Sequence, residues 1–176
     1  MTAVTFFSAL TVVGQIIIVL VLIGMLGRTR MMDWIGAHAL LLMLIVSLTA
    51  TTGSLFFSEI ALWVPCKECW FQRIFMYPQV ILLAIALWRH DRGIAASILV
   101  LSMFGALFAA HHYIEQLLTA LHPIPVDITK PCDLSGVSCT ATEIHFSFGY
   151  ITIPLMALTA FILNAVGSVS VLRAKQ

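Results

Sequence analysis

The run W-I-G-A-H-A-L-L-L-M-L-I-V-S-L-T-A-T-T-G-S-L-F-F-S, Trp34 to Ser58, contains no charged side chain. A helix needs roughly 20 predominantly apolar residues to cross the hydrocarbon core of a bilayer, and this run supplies them. It does not alternate polar with apolar residues, so it does not read as a strand of a membrane barrel. Four further runs are equally free of charge: Met1 to Gly27, Ile74 to Trp88, Gly93 to Ile114 and Ile144 to Leu172. The run from Ile74 is short, but Trp70, Phe71 and Gln72 lengthen it if Arg73 sits near an interface. Backbone groups in lipid must be satisfied within the segment, which makes each run a helix. The spans expected are about 4–26, 35–57, 70–88, 94–114 and 148–170, an all-α polytopic membrane bundle.

Composition excludes most other classes. Of 176 residues, 61% are hydrophobic and 10% charged, and the mean hydropathy is +1.04. A soluble domain carries about 25% charged residues. Nine basic and eight acidic side chains cannot cover a water-soluble globule of this size. A soluble enzyme, a nucleic-acid binder with a basic face and a disordered tail are all excluded on this ground. The net charge of +1 points to no acidic or basic partner.

Basic residues orient the bundle, because cytoplasmic loops carry the excess of Lys and Arg. Arg28 and Arg30 lie between the first and second helices, Arg89 and Arg92 between the third and fourth, and Arg173 and Lys175 in the tail. The opposite side holds Lys67, Lys130 and Arg73 among six acidic residues. Strict alternation then puts the N-terminus outside and the C-terminus in the cytoplasm. The first run reads as a retained helix and not a signal peptide, since its positive charges follow the apolar stretch. The longest stretch outside the spans, about 115–147, contains Pro123, Pro125 and Pro131 and reads as an outer loop.

All four cysteines fall on that outer side, as P-C-K-E-C (Cys66, Cys69) and P-C-D-L-S-G-V-S-C (Cys132, Cys139). A disulfide stabilises chiefly by restricting the unfolded chain, more so for long loops. Pairs this close constrain little and suit thiol–disulfide exchange better. The spacing leaves two other readings open: structural disulfides, and a four-cysteine zinc site whose ligand spacing would depart from the usual one. Arg73 favours exchange. It lies four residues after Cys69, so on a helix starting near Lys67 both share a face. A guanidinium and a helix N-terminus each favour the thiolate, which is the reacting species. The competing reading of Arg73 is a side chain that snorkels to the headgroups. His111 and His112 end the fourth span on the same side, as interfacial caps or as donors to a bound head group. No glycine-rich dinucleotide fingerprint is present, and no facing histidines are placed for haem. A lipid-soluble acceptor such as a quinone remains for the electrons.

From Phe57 to Pro78 the sequence F-S-E-I…P-C-K-E-C-W-F-Q-R-I-F-M-Y-P resembles the DsbB family of disulfide-bond-forming membrane proteins, most closely its BdbC branch. H-Y-I-E-Q (His112–Gln116), P-C-x₃-G-V-x-C (Pro131–Cys139) and G-Y-I-T-I-P-L-M-A-L-T-A-F-I-L (Gly149–Leu163) continue the resemblance in order, over about residues 45–165. It implies a four-helix bundle at 31–176 with two outer redox loops, preceded at 1–30 by an additional transmembrane helix. It also implies a bacterial plasma-membrane disulfide:quinone oxidoreductase. Such an enzyme re-oxidises an extracytoplasmic thioredoxin-like thiol oxidase of the DsbA/BdbD kind and passes electrons to ubiquinone or menaquinone, and so to the respiratory chain. Matched residue by residue, Cys132 and Cys139 correspond to the pair that exchanges with the partner. Cys66 and Cys69 correspond to the pair that serves the quinone, and Arg73 to the quinone-site arginine. The family's histidine corresponds to His111 or His112. Two departures stand out: the extra first helix, and a loop pair set closer together than in the DsbB branch. The rival readings are a vitamin-K-epoxide-reductase-like quinone reductase and a non-enzymatic membrane scaffold or metal-binding protein.

Overall fold

The computed structural model describes residues 2–27, 30–121 and 147–174. Cys132 and Cys139 lie outside the described residues. Five helices make up almost all of the rest: α1 (Thr2–Gly27), α2 (Arg30–Leu55), α3 (Lys67–Arg89), α4 (Ala95–Leu121) and α5 (Ile153–Ala174). Each is long and apolar enough to cross a membrane, so the chain is a multi-pass helical membrane protein. Among the described residues the one β pairing is an isolated bridge between Ser147 and Ile151.

Helices α2, α3, α4 and α5 form a ring in which each packs on the next and α5 returns to α2. Helix α1 lies outside the ring, against α5 and more lightly against α2. Tyr150, just before α5, donates from its hydroxyl to Gln15 Oε1 of α1 at 2.9 Å. The helices are apolar on every side, with Ile16, Leu20 and Ile23 of α1 turned outward. That is the pattern of a helix bathed in lipid.

The helix ends differ from those expected. Helix α4 runs on to Leu121 past Glu115 instead of stopping near 114, because one charge at a membrane boundary does not break a helix. Helix α5 starts at Ile153 instead of 148, because Phe148 and Gly149 adopt left-handed backbone and close a turn. The end of α2 loosens into a π-helical turn, Phe56–Ile60. The opposite end is tied by short connections. His90 caps α3 in the left-handed region, and Asp91 accepts from the Gly93 amide at 2.7 Å before a 3₁₀ turn leads into α4. Arg92 donates to the carbonyl of Gly36, fastening α4 to α2.

The ring has three levels. Towards the Arg89–Arg92 end the core is Ala39, Met43, Leu83, Ile98 and Val171. Towards the cysteine end it is Met76, Ala109, Ala160 and Phe161. Gly105 leaves room there for the Phe161 ring, into which a Cβ would run. Between the two lies a buried polar knot with one residue from each helix. Asn164 Nδ2 donates to Ser47 Oγ and to Gln79 Oε1, both at 2.8 Å, and Ser102 Oγ donates to Gln79 Oε1 at 3.3 Å. With no water at this depth, side-chain amides and hydroxyls find each other across helices.

Candidate active site

The chain leaves the π-helical turn through a bend at Ala61 and left-handed backbone at Leu62, and reaches Pro65 without regular structure. Trp63 stacks on Phe57 with centroids 5.2 Å apart, which fixes the path of this segment. Cys66 is then the N-cap of α3, with extended backbone, and its carbonyl accepts the first helical bond from Trp70 N. The C-x-x-C spacing puts Cys69 one turn up on the same face. Their sulfurs lie 3.3 Å apart, at the positive end of α3.

Helix α4 brings His112 to this pair, with Nε2 3.8 Å from Cys66 Sγ. Both residues are buried. Gln72, a further turn along α3, places its amide nitrogen 3.1 Å from His112 Nδ1. Gln116, one turn after His112, also reaches the ring, at 3.4 Å. His111 points the other way. Its side chain is 62% exposed and faces Glu115 at 3.8 Å. Of the two neighbouring histidines, the structure brings only His112 to the cysteines.

Arg73 reaches across to the end of α2. Its Nε donates to Ser54 Oγ at 3.0 Å and its Nη2 to the Ser54 carbonyl at 3.1 Å. Tyr77 adds a third bond to this serine, donating to its Oγ at 3.2 Å. The guanidinium carbon also lies 5.3 Å from the Trp70 ring centroid. Arg73, Tyr77 and Cys69 line a common cavity of about 480 Å³, whose remaining walls are largely hydrocarbon. Cys66 is not in that lining, so the two sulfurs have different surroundings: Cys69 faces the cavity and Cys66 backs onto His112.

Ser54, Gln72, Tyr77 and Gln116 are the residues of this site that the sequence reading did not single out. The spacing of Gln72 after Cys69 and of Gln116 after His112, one turn each, was the available signal. The sulfurs and a nitrogen of His112 also lie within 4.8 Å of one another, a donor set of the kind that holds zinc. A disulfide between the cysteines would withdraw two of those donors.

A bundle of membrane helices with a close cysteine pair beside a buried histidine and an apolar cavity is the architecture of a membrane thiol–disulfide protein. The family model described as disulfide bond formation protein DsbB matches residues 36–171. "Disulfide bond formation protein C" of Bacillus subtilis is 44% identical over 119 residues, 68% of this chain and 81% of that protein. "Probable disulfide formation protein C" of Halalkalibacterium halodurans is 39% identical over 131 residues, 74% of this chain and 90% of that protein. A protein of the same printed name from Bacillus cereus is 39% identical over 150 residues, 85% of this chain and all of that protein. No solved structure matches significantly. The chain belongs to the DsbB family of disulfide bond formation proteins, and within it resembles the C-type proteins of Bacillus. Its role is in disulfide-bond formation, as an oxidoreductase of a membrane.

Proposed function

We propose that this protein re-oxidises an extracytoplasmic thioredoxin-like thiol oxidase and delivers the electrons to quinone in a bacterial plasma membrane. The observation that carries this reading is the shared cavity: Cys69 of the C-x-x-C pair and the anchored Arg73 open onto one apolar chamber. The cavity also fits the acceptor. It is apolar enough to draw a quinone from lipid, and it has the Arg73 guanidinium at the end where a ring oxygen would need a donor.

The exchange is balanced in thiols. A reduced partner gives its two hydrogens to the Cys132–Cys139 disulfide and becomes a disulfide itself. The resulting Cys132–Cys139 dithiol passes them to the Cys66–Cys69 disulfide in the same way. Re-forming the Cys66–Cys69 bond then releases two electrons and two protons. Bound quinone supplies the two-electron, two-proton acceptor. His112, with its Nε2 turned to Cys66, gives that sulfur a polar partner while Cys69 faces the cavity. Arg73, braced by Ser54, presents a positive charge at the cavity wall beside Cys69. Each transfer follows the difference in reduction potential, about 30 mV for each 1.4 kcal/mol with two electrons.

The test separates the pairs. Cys66→Ser or Cys69→Ser should stop quinone reduction yet still permit a mixed disulfide between the loop pair and the partner. Replacing both Cys132 and Cys139 with Ser should abolish turnover with the partner but leave a small dithiol able to reduce Cys66–Cys69. Loss of folding in all three variants without loss of a separable step would make the cysteines structural. Purified protein carrying stoichiometric zinc and no quinone would favour the metal-binding scaffold.

A further inference from the structure

The cavity that starts at Cys69 and Arg73 is not closed by the four-helix ring. Its far wall is α1, through Phe7, Leu10, Thr11, Gly14 and Ile17. These positions form one stripe at helical spacing. From Phe7 to Ile17 the stripe runs roughly 15 Å along the axis, at about 1.5 Å per residue. The facing surfaces are kept open by small residues, Ala50 and Gly53 of α2 and Ala157 and Ala160 of α5. All of α1 precedes residues 36–171, the part that matches the family model.

Two close contacts hold α1 in place and leave the slot between them. At the cysteine end the Phe7 ring occupies the space over Gly53, where a Cβ would come within 2.8 Å of Phe7 Cε1, and it packs on Phe57 with centroids 5.5 Å apart. Deeper in, α1 meets α5 at Gly14, where a Cβ would lie 3.0 Å from Thr159 Cγ2. Leu10 and Thr11 lie between these contacts. The Thr11 hydroxyl is spent on the Phe7 carbonyl at 2.8 Å, so it offers the slot no hydroxyl donor. The result is an elongated chamber with Arg73, Tyr77 and Ser54 at one end and hydrocarbon along the rest.

Such a chamber fits a molecule with a polar ring and a long branched hydrocarbon tail. We propose that α1 is the binding wall for the first isoprenoid units of the quinone tail, so that this chain selects its acceptor by tail as well as by ring. The inference rests on the reading of the cavity as the quinone site. The other molecule with a polar head and a hydrocarbon tail is a membrane phospholipid. It offers no oxidant to the sulfur at the cavity's polar end, and the test separates the two.

The first measurement needs no mutation. The full-length protein in lipid nanodiscs is irradiated with a quinone carrying a photoreactive azido group on its tail, and the labelled peptides are mapped by mass spectrometry. Label should fall on α1 around Leu10 to Gly14 and be competed away by unlabelled long-tailed quinone but not by added phospholipid. Label confined to α2–α5, or competition by phospholipid alone, overturns the inference. The second measurement compares kcat/KM for a tailed quinone with that for its tail-less ring in the wild-type chain and in Leu10→Trp, which narrows the slot from a half-exposed position. The tailed-to-tail-less ratio should fall about tenfold, equivalent to about 1.4 kcal/mol. An unchanged ratio overturns the α1 assignment while leaving the proposed function intact. A wild-type chain that reduces neither quinone overturns both.

Discussion

Arg73 gives the most direct test at the scale of single residues. Its two bonds to Ser54 leave from different nitrogens of one planar group, which the single ammonium of lysine cannot reproduce. Losing one hydrogen bond to a charged group costs about 1.5–3 kcal/mol, or roughly 10- to 150-fold at about 1.4 kcal/mol per decade. Arg73→Lys is expected to raise the apparent KM for quinone within that range, and Arg73→Ala to raise it further, with disulfide exchange at the loop pair nearly normal in both. Steady-state quinone reduction measures the first and trapping of the mixed disulfide the second. The two histidines make a paired test. His112→Ala strips Cys66 of its buried ring neighbour and leaves the amides of Gln72 and Gln116 facing a hole. It should slow alkylation of the reduced Cys66–Cys69 pair by about tenfold, the scale of one lost charge-assisted contact. His111→Ala should leave that rate within about twofold, as expected for a surface pair. The grouping of Cys66, Cys69 and Arg73 was legible in the sequence because their separations along one helix fix their common face. The choice between His111 and His112 was not. It depends on how α4 is turned towards α3, and a helix that is apolar all round carries no pattern from which to read that angle. Ser54 was hidden for the same reason.

At the scale of helices, the charge-free runs revealed all five spans, because hydrocarbon tolerates almost no unpaired charge. Their ends were less legible. Glu115 breaks the apolar run but not the helix, which continues to Leu121, while the turn at Phe148 and Gly149 delays α5 within an unbroken apolar run. Close helix pairing was also invisible, since Gly105 looks like any small residue until Phe161 is placed against it. With Phe161 fully buried, the extra methyl of Gly105→Ala has to push the ring out of its site. Overpacking of this kind costs about 1–3 kcal/mol. The variant should show a lowered Tm in detergent by thermal scanning, partly restored by adding Phe161→Leu to make room. A Tm equal to that of the wild type would mean that α4 and α5 separate without cost.

For the whole molecule, the proposed orientation rests on charge. Arg89, Arg92 and Arg173 stand at the end of the bundle opposite Cys66 and Cys69, and Lys/Arg-rich ends stay in the cytoplasm. In intact cells treated with a permeant reductant, a membrane-impermeant maleimide should therefore label Cys66, Cys69, Cys132 and Cys139, as read by gel shift of single-cysteine variants. Labelling only after the membrane is opened would reverse the orientation.

The polar knot also imposes a rule on the length of the chain. Gln79 lies ten residues after Cys69, and His112 lies ten residues after Ser102. Both catalytic-end side chains thus stand the same distance, roughly 15 Å at about 1.5 Å per residue, from the level where Gln79 and Ser102 are bonded together. The knot is a common zero mark from which the sulfur and the imidazole are both measured. One residue inserted in either stretch would lift its side chain by about 1.5 Å and swing it through about 100°, breaking the phase between them while every span remained long enough to cross the membrane. Apart from Gln72, Arg73, Tyr77 and Gly105, these two ten-residue stretches should accept substitutions but no change of length. Insertions beyond the mark, towards Arg89 and Arg92, leave the phase untouched.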